Sequence, residues 1–116
     1  MPNFTIELEK LPSSNESRAV IHAKGKISME TVGELLKLRA ESAQRLILDM
    51  SGITFLDSSG AGALVSLFVS RRNQGKQFAL AALSQQASAV VMVAGLQNVL
   101  PVYRTVEEAT TKSANA

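Results

Sequence analysis

Leu46-Ile47-Leu48 is an unbroken apolar run held between Arg45 and Asp49, and it restricts the fold more than any other segment. Three consecutive apolar residues without alternation suit a strand covered on both faces. Ser51-Gly52 punctuates the run, and Ile53 to Leu56 carries the chain to Asp57-Ser58-Ser59-Gly60. From Ser59 the apolar spacing turns helical, with Ala61, Leu64, Leu67 and Phe68 on one face. A serine pair therefore stands where a strand's loop hands over to a helix N-terminus. A hydroxyl there is both exposed and surrounded by free backbone N–H donors.

The flanking segments supply the rest of an α/β pattern. Phe4, Ile6 and Leu8 alternate with Thr5, Glu7 and Glu9, the period of a half-buried strand. The turn cluster from Pro12 to Ser17 joins it to a second strand, Ala19 to Ile27, as an antiparallel hairpin. Gly25 marks a bulge in that strand. Ser28 is the expected N-cap of an amphipathic helix ending near Ala43. Strand three spans Arg45 to Met50, and helix two runs from Ser59 to about Asn73, closed by Gly75. Arg71, Arg72 and Lys76 at its end complement the helix dipole. Phe78 to Ala81 reads as a fourth strand, Ser84 to Ala94 as a helix stopped by Gly95, Val102-Tyr103-Arg104 as a short strand, and Val106 to Ala109 as a helical turn. The expected fold is a single α/β domain over residues 1–109: a mixed four- to five-stranded sheet, N-terminal antiparallel hairpin then β-α-β crossovers, with about four helices. Residues 110–116 are small and polar, a disordered tail.

Composition narrows the function classes. A length of 116 residues with 46% hydrophobic residues fits one domain with a real core. Aromatics make up 4%, so that core is aliphatic. A net charge of +2, scattered along the chain, argues against direct nucleic-acid binding. There is no Cys, which removes disulfides, thiolate catalysis and Cys-ligated metals. The N-terminus lacks the pattern of a signal peptide, and the uncharged stretch from Phe78 to Tyr103 is too interrupted to insert in a membrane. A cytoplasmic domain is expected.

Catalytic signatures fail one by one. Gly60-Ala61-Gly62 begins a dinucleotide fingerprint whose third glycine would fall on Val65. No Walker loop exists, and neither Ser58 nor Ser59 has the glycine two residues earlier that a nucleophile elbow needs. His22 is the only histidine; a Ser58–His22–Asp49 triad can be written, but nothing in the spacing supports it. No enzymatic activity and no cofactor are expected. A bland reading of the serine pair is that Asp57, Ser58 or Ser59 merely caps the helix.

The octapeptide Asp57-Ser58-Ser59-Gly60-Ala61-Gly62-Ala63-Leu64 closely resembles the DSSGLGxL signature of bacterial STAS domains, the anti-sigma factor antagonists. Gly25-Lys26-Ile27 resembles that family's G-x-L lead-in to helix one. Leu46 to Leu56 is similar to its third strand and loop, and Ser84 to Gly95-Leu96 to its third helix. The resemblance covers about Phe4 to Ala109.

The resemblance implies a partner switch. Ser58 would be the phosphoacceptor, with Ser59 a secondary candidate and helix cap, and Asp57 and Gly60 shaping the turn. The partners implied are an anti-sigma factor serine kinase of the histidine-kinase-like ATPase type, which binds the unphosphorylated form, and a serine phosphatase. Expected partner-binding residues are Ser28, Thr31, Gly62, Val65, Ser66 and Val69. The flank formed by Gly62, Val65, Ser66 and Val69 reads equally well as a wider core stripe. Many kinase-regulated members carry Asp where this chain has Ser28, which implies altered kinase recognition. Two other readings stay open: a STAS subunit docking on a transporter ATPase or signalling scaffold without a phosphorylation cycle, and a small-ligand-binding STAS module.

Overall fold

The central apolar run lies at the middle of a five-stranded sheet. The computed structural model describes residues 4–11 and 17–111. In chain order these form β1 (Phe4–Leu11), β2 (Arg18–Ile27), α1 (Val32–Leu36) continued by a 3-10 turn (Lys37–Ala40), β3 (Arg45–Leu56), α2 (Ser58–Asn73), β4 (Gln77–Ala81), α3 (Gln85–Ala94) followed by a 3-10 turn (Leu96–Asn98), β5 (Val102–Tyr103) and α4 (Val106–Thr111). The strands lie in the order β1-β2-β3-β4-β5. β1 pairs antiparallel with β2, and every later pairing is parallel. The expected mixed sheet, hairpin first and crossovers after, is present.

Alternation along the strands builds two cores. Ile21 and Ala23 of β2, Leu46, Leu48 and Met50 of β3, and Phe78 and Leu80 of β4 join Leu35, Leu64, Leu67 and Val91 of the helices in the larger one. On the other face Val20, Ile47 and Ala81 are sealed by Ala109 of α4, with Tyr103 and Val106 at the edge. Leu46-Ile47-Leu48 is therefore buried on both sides, as its lack of alternation predicts. Each such side chain contributes about 2 kcal/mol by leaving water.

The elements depart from sequence expectation at several places. β3 does not stop at Met50 but runs to Leu56, because Gly52, Ile53, Phe55 and Leu56 pair with Lys24 to Ile27 of β2. Two register shifts, opposite Ala23 and between Gly25 and Lys26 of β2, each put one extra residue in β3. Gly25 has φ 99°, a conformation that favours glycine, but the extra residue opposite it, Thr54, is on β3, so the bulge lies in the partner strand rather than in β2. Helix one is one α-turn and a 3-10 turn rather than a helix from Ser28 to Ala43. Ser28 is not its side-chain cap. Its carbonyl accepts from the N–H groups of Thr31 and Val32, while its own N–H donates to Thr31 Oγ1 at 2.9 Å. Helix α2 begins at Ser58, one residue early, and α4 extends through Thr111, so Thr110 and Thr111 belong to its last turn. Residues 112–116 of the expected tail, and 12–16 of the expected turn cluster, lie outside the described residues.

Arg71 explains the shortened first helix. It is fully buried at 0% exposure rather than a surface partner of the helix dipole. Its Nε donates to Gln77 O at 3.0 Å and Nη1 to Glu41 O at 3.0 Å. Nη2 donates to Ala43 O at 2.6 Å. The carbonyls of Glu41 and Ala43 are held toward this guanidinium, so the chain beyond Ala40 cannot continue as helix, and Glu41 turns extended. Burial pushes the Arg71 pKa down, and the charge of Glu41 opposes the shift. Arg71→Met removes the donor from the carbonyls of Gln77 and Ala43 and leaves Glu41 O only the Lys76 ammonium at 3.4 Å, a loss of about 3 kcal/mol in chemical denaturation. An unchanged denaturation midpoint would contradict this account.

His22 ties three strands together on the face that carries Val20. Its Nδ1 lies 2.7 Å from Asp49 Oδ2 and its Nε2 lies 2.9 Å from Glu9 Oε1. The hydrogen bonds to Glu9 and Asp49 raise its pKa above 6.5. Burial alone would raise the Asp49 carboxyl, yet hydrogen bonds from Ser51 and His22 hold it below 3.8. A raised histidine contributes stability below its unfolded pKa, lost as pH rises through the folded value. A depressed carboxylate contributes stability above its unfolded pKa, lost as pH falls through the folded one. The stability difference between wild type and His22→Gln should therefore be greatest between about pH 4 and pH 6 and shrink toward about pH 9. Urea midpoints across that range measure it, and a pH-independent difference would refute the contact's charge.

Candidate phosphoacceptor site

The junction between β3 and α2 is held from both sides. Asp57 N–H donates to Ile27 O at the end of β2, 3.3 Å away. Asp57 is in extended conformation, and its Oδ1 accepts the Gly60 N–H at 2.8 Å. Its carbonyl accepts the Ala61 N–H at 2.9 Å. Asp57, not Ser59, is thus the side-chain cap. A carboxylate one residue before the helix reaches the third N–H of the first turn, and the two serines fall within the helix itself. Ser58 is exposed, Ser59 half-buried and Gly60 buried.

Gly60 lets the helix start press on the end of β2. A Cβ there would sit 2.6 Å from Leu56 Cδ1, 2.7 Å from Ile27 O and 2.8 Å from Ile27 Cγ2. Gly62, one position past the next residue, has nothing within 4 Å of such an atom. The first glycine is needed for close approach and the second is open surface.

Two grooves flank the junction. The larger, about 670 Å³, runs between α2 and α3. Ser58, Gly62 and Val65 line one wall, and Val90, Val93 and Ala94 the other. Asp57 supplies its one ionisable side chain. The smaller, about 390 Å³, lies on the other side of Asp57 and is lined by Lys26, Ser28, Met29, Glu30 and Phe55. Ser58 thus stands at the rim of an apolar groove, with a mixed polar recess next to it.

The expected partner-binding residues divide between these surfaces. Gly62 and Val65 line the larger groove and Ser28 the smaller. Val65 also packs on the core, so its position on the helix serves both purposes. Ser66 is exposed and Val69 half-buried, outside both grooves. Thr31 is buried at 2% exposure. Its hydroxyl donates to Lys26 O at 2.8 Å, so it holds the loop carrying Ser28 and Met29 in place. The sequence reading missed Met29, Phe55 and Val93, which are 75%, 45% and 90% exposed. For Val93 a signal existed: Ala89 to Ala94 is apolar without a break, leaving that end of α3 no polar side to turn outward.

The paper triad forms only in part. His22 does contact Asp49, but both ring nitrogens are engaged by carboxylates, leaving none to take a proton from a serine. Among the described residues no cluster of His, Asp and Glu is arranged to hold a metal ion.

The STAS domain profile matches residues 6–109. The chain belongs to the STAS domain family. Solved STAS structures are similar to it along most of its length. An anti-sigma factor antagonist from Mycobacterium paratuberculosis is 23% identical, with 90% of this chain and 92% of that one covered and a TM-score of 0.71. The anti-sigma factor antagonist SpoIIAA in its unphosphorylated form is 22% identical, with 91% and 93% covered and a TM-score of 0.71. A sulfate transporter family protein from Wolinella succinogenes is 19% identical, with 78% and 79% covered and a TM-score of 0.66. The fold here is thus shared with anti-sigma factor antagonists and with a sulfate transporter family protein. No helix among the described residues is long and apolar enough to cross a membrane.

The two glycines of this STAS domain's α2 should respond in opposite directions. Gly60→Ala overpacks the junction and costs about 1–3 kcal/mol. Gly62→Ala meets open space and gains helix propensity, up to about 1 kcal/mol. Denaturation of both variants checks the pair, and equal effects would contradict the close approach at Gly60.

Proposed function

We propose that this STAS domain is an anti-sigma factor antagonist-like partner switch, non-enzymatic itself, with Ser58 as phosphoacceptor. The observation that carries the reading is the position of Ser58: exposed, first in α2, and on the rim of an apolar groove of about 670 Å³. The unphosphorylated protein binds an anti-sigma serine kinase of the histidine-kinase-like ATPase type, which brings the ATP. The partner lies across the α2–α3 groove and the recess beside Ser28. A serine phosphatase resets the cycle.

The electrostatics agree with a surface switch. A phosphoserine carries about −1.5 to −2 charges at neutral pH. At the first residue of α2 it meets the positive end of the helix dipole, so the fold accommodates it. Its neighbours on the groove side are apolar, and Asp57 beside it is an acid. A partner that covers the neutral hydroxyl would have to bury a dianion next to a carboxylate after phosphorylation. Binding is lost while the fold stays. Ser28, in the recess beyond Asp57, would offer the kinase a neutral hydroxyl where the resemblance implies a carboxylate in many kinase-regulated members.

Phosphopeptide mass spectrometry on the protein from its native host tests the assignment. The tryptic peptide Leu46 to Arg71 holds both serines, and fragmentation separates them. The expected result is phosphate on Ser58, absent in Ser58→Ala and retained in Ser59→Ala. A peptide unmodified in growth, starvation and stress would overturn the cycle and favour stable docking on a transporter or scaffold, whereas phosphate that persists in Ser58→Ala would overturn the assignment to Ser58 and point to Ser59.

A further inference from the structure

At the opposite end of α2, roughly 20 Å along the helix from Ser58, lies a recess of about 190 Å³ between α2, β4, β5 and α4. Phe68, Pro101 and Tyr103 supply its apolar walls, over a floor of Phe78 and Ala79 that are themselves buried. Arg72 and Lys76 also line it, and no acidic side chain does. The Arg72 guanidinium lies over the Phe68 ring, 5.4 Å from its centroid, which fixes a cation at the margin of an aromatic surface. Arg45, 6% exposed, completes the polar side, its Nε donating to Gln77 Oε1 at 3.0 Å and its Nη1 to Ala109 O at 3.2 Å. The Lys76 ammonium donates to the Glu41 carbonyl at 3.4 Å, which uses one of its three N–H groups and places it beside the opening.

From this lining we infer that the recess binds a single-ring aromatic carboxylate. The volume is below the roughly 300 Å³ at which drug-sized sites begin, so the occupant is small. The walls match a flat apolar body, and the cations match one anionic group at its edge. A bare inorganic anion would make no use of the apolar surface of Phe68, Pro101 and Tyr103, and a neutral ring would make no use of the Arg72 and Lys76 charges beside it. The site shares no lining residue with the grooves beside Ser58, so it stands or falls independently of the phosphorylation cycle.

The test is titration of the 15N-labelled full chain with sodium benzoate, followed by amide chemical shifts, with benzamide and inorganic phosphate as comparison probes. Saturable benzoate shifts are expected at Phe68 to Ala79 and at Tyr103, with an affinity of about 1 mM, as suits a ligand of this size. Benzamide and phosphate should each bind at least about fivefold more weakly, and Arg72→Gln and Lys76→Gln should each weaken benzoate by about threefold. Both side chains are at the surface of the recess, and an otherwise unchanged spectrum verifies that the variants fold. Absence of saturable shifts, shifts elsewhere on the protein, equal binding of either comparison probe, or full affinity in the double variant would overturn the inference.

Discussion

The site depends on one residue's two attachments. Asp57 is hydrogen-bonded through its N–H to the end of β2 and through its carboxylate to the first turn of α2. Strand, loop and helix are thereby locked without an intervening flexible segment. Ser58 follows directly, so its exposure is a consequence of backbone geometry rather than of a mobile loop. Gly60 is the necessary companion, since a methyl group there would be driven into Ile27 O and the Leu56 side chain. A position fixed this way suits a group that is modified and then read by a partner, because little ordering entropy is lost when the partner docks.

The same helix organises the rest of the domain. Its inner face, Leu64 and Leu67, lies in the larger core, and its last turn drives Arg71 into the carbonyls of the loop before β3. Its outer flank contributes Gly62 and Val65 to the groove with α3. A rigid α2 anchored at both ends explains how a charge added at its start can alter a surface without loosening the core. The sheet beneath is pinned separately, by the Glu9–His22–Asp49 contacts across β1, β2 and β3.

Much of this is legible in the residues because it is local. The apolar run at Leu46, the Asp-Ser-Ser-Gly helix start and the Gly95 stop each carry their own signal within a few positions, and every strand but β3 falls within a few residues of where the alternation or apolar runs put it. What escaped the sequence is set by distant partners. Arg71 at a helix end satisfies the dipole rule whether exposed or buried, and only the carbonyls of Glu41 and Ala43, far off in the chain, decide that it is buried. The same contact shortens helix one, whose apolar spacing alone extends further. Strand three outruns its Ser51-Gly52 punctuation because it bulges there and goes on pairing with β2, a tertiary effect that overrides local turn preference. The choice of Asp57 over Ser59 as cap turned on backbone conformation, which residue type does not reveal.

The central claim is that phosphate on Ser58 changes the surface and leaves the fold intact. Semisynthetic protein carrying phosphoserine at that one position, compared with the unmodified chain by amide NMR and thermal unfolding, tests it most directly. The account predicts shifts confined to Asp57 to Gly62 and the α3 wall at Val90 to Ala94, with the core amides of Leu46 to Leu48 unmoved and the melting temperature within about 4 °C, the scale of 1 kcal/mol or less. Loss of signal dispersion, or displacement of the β3 core amides, would show that the modification acts by disrupting the domain and would contradict it.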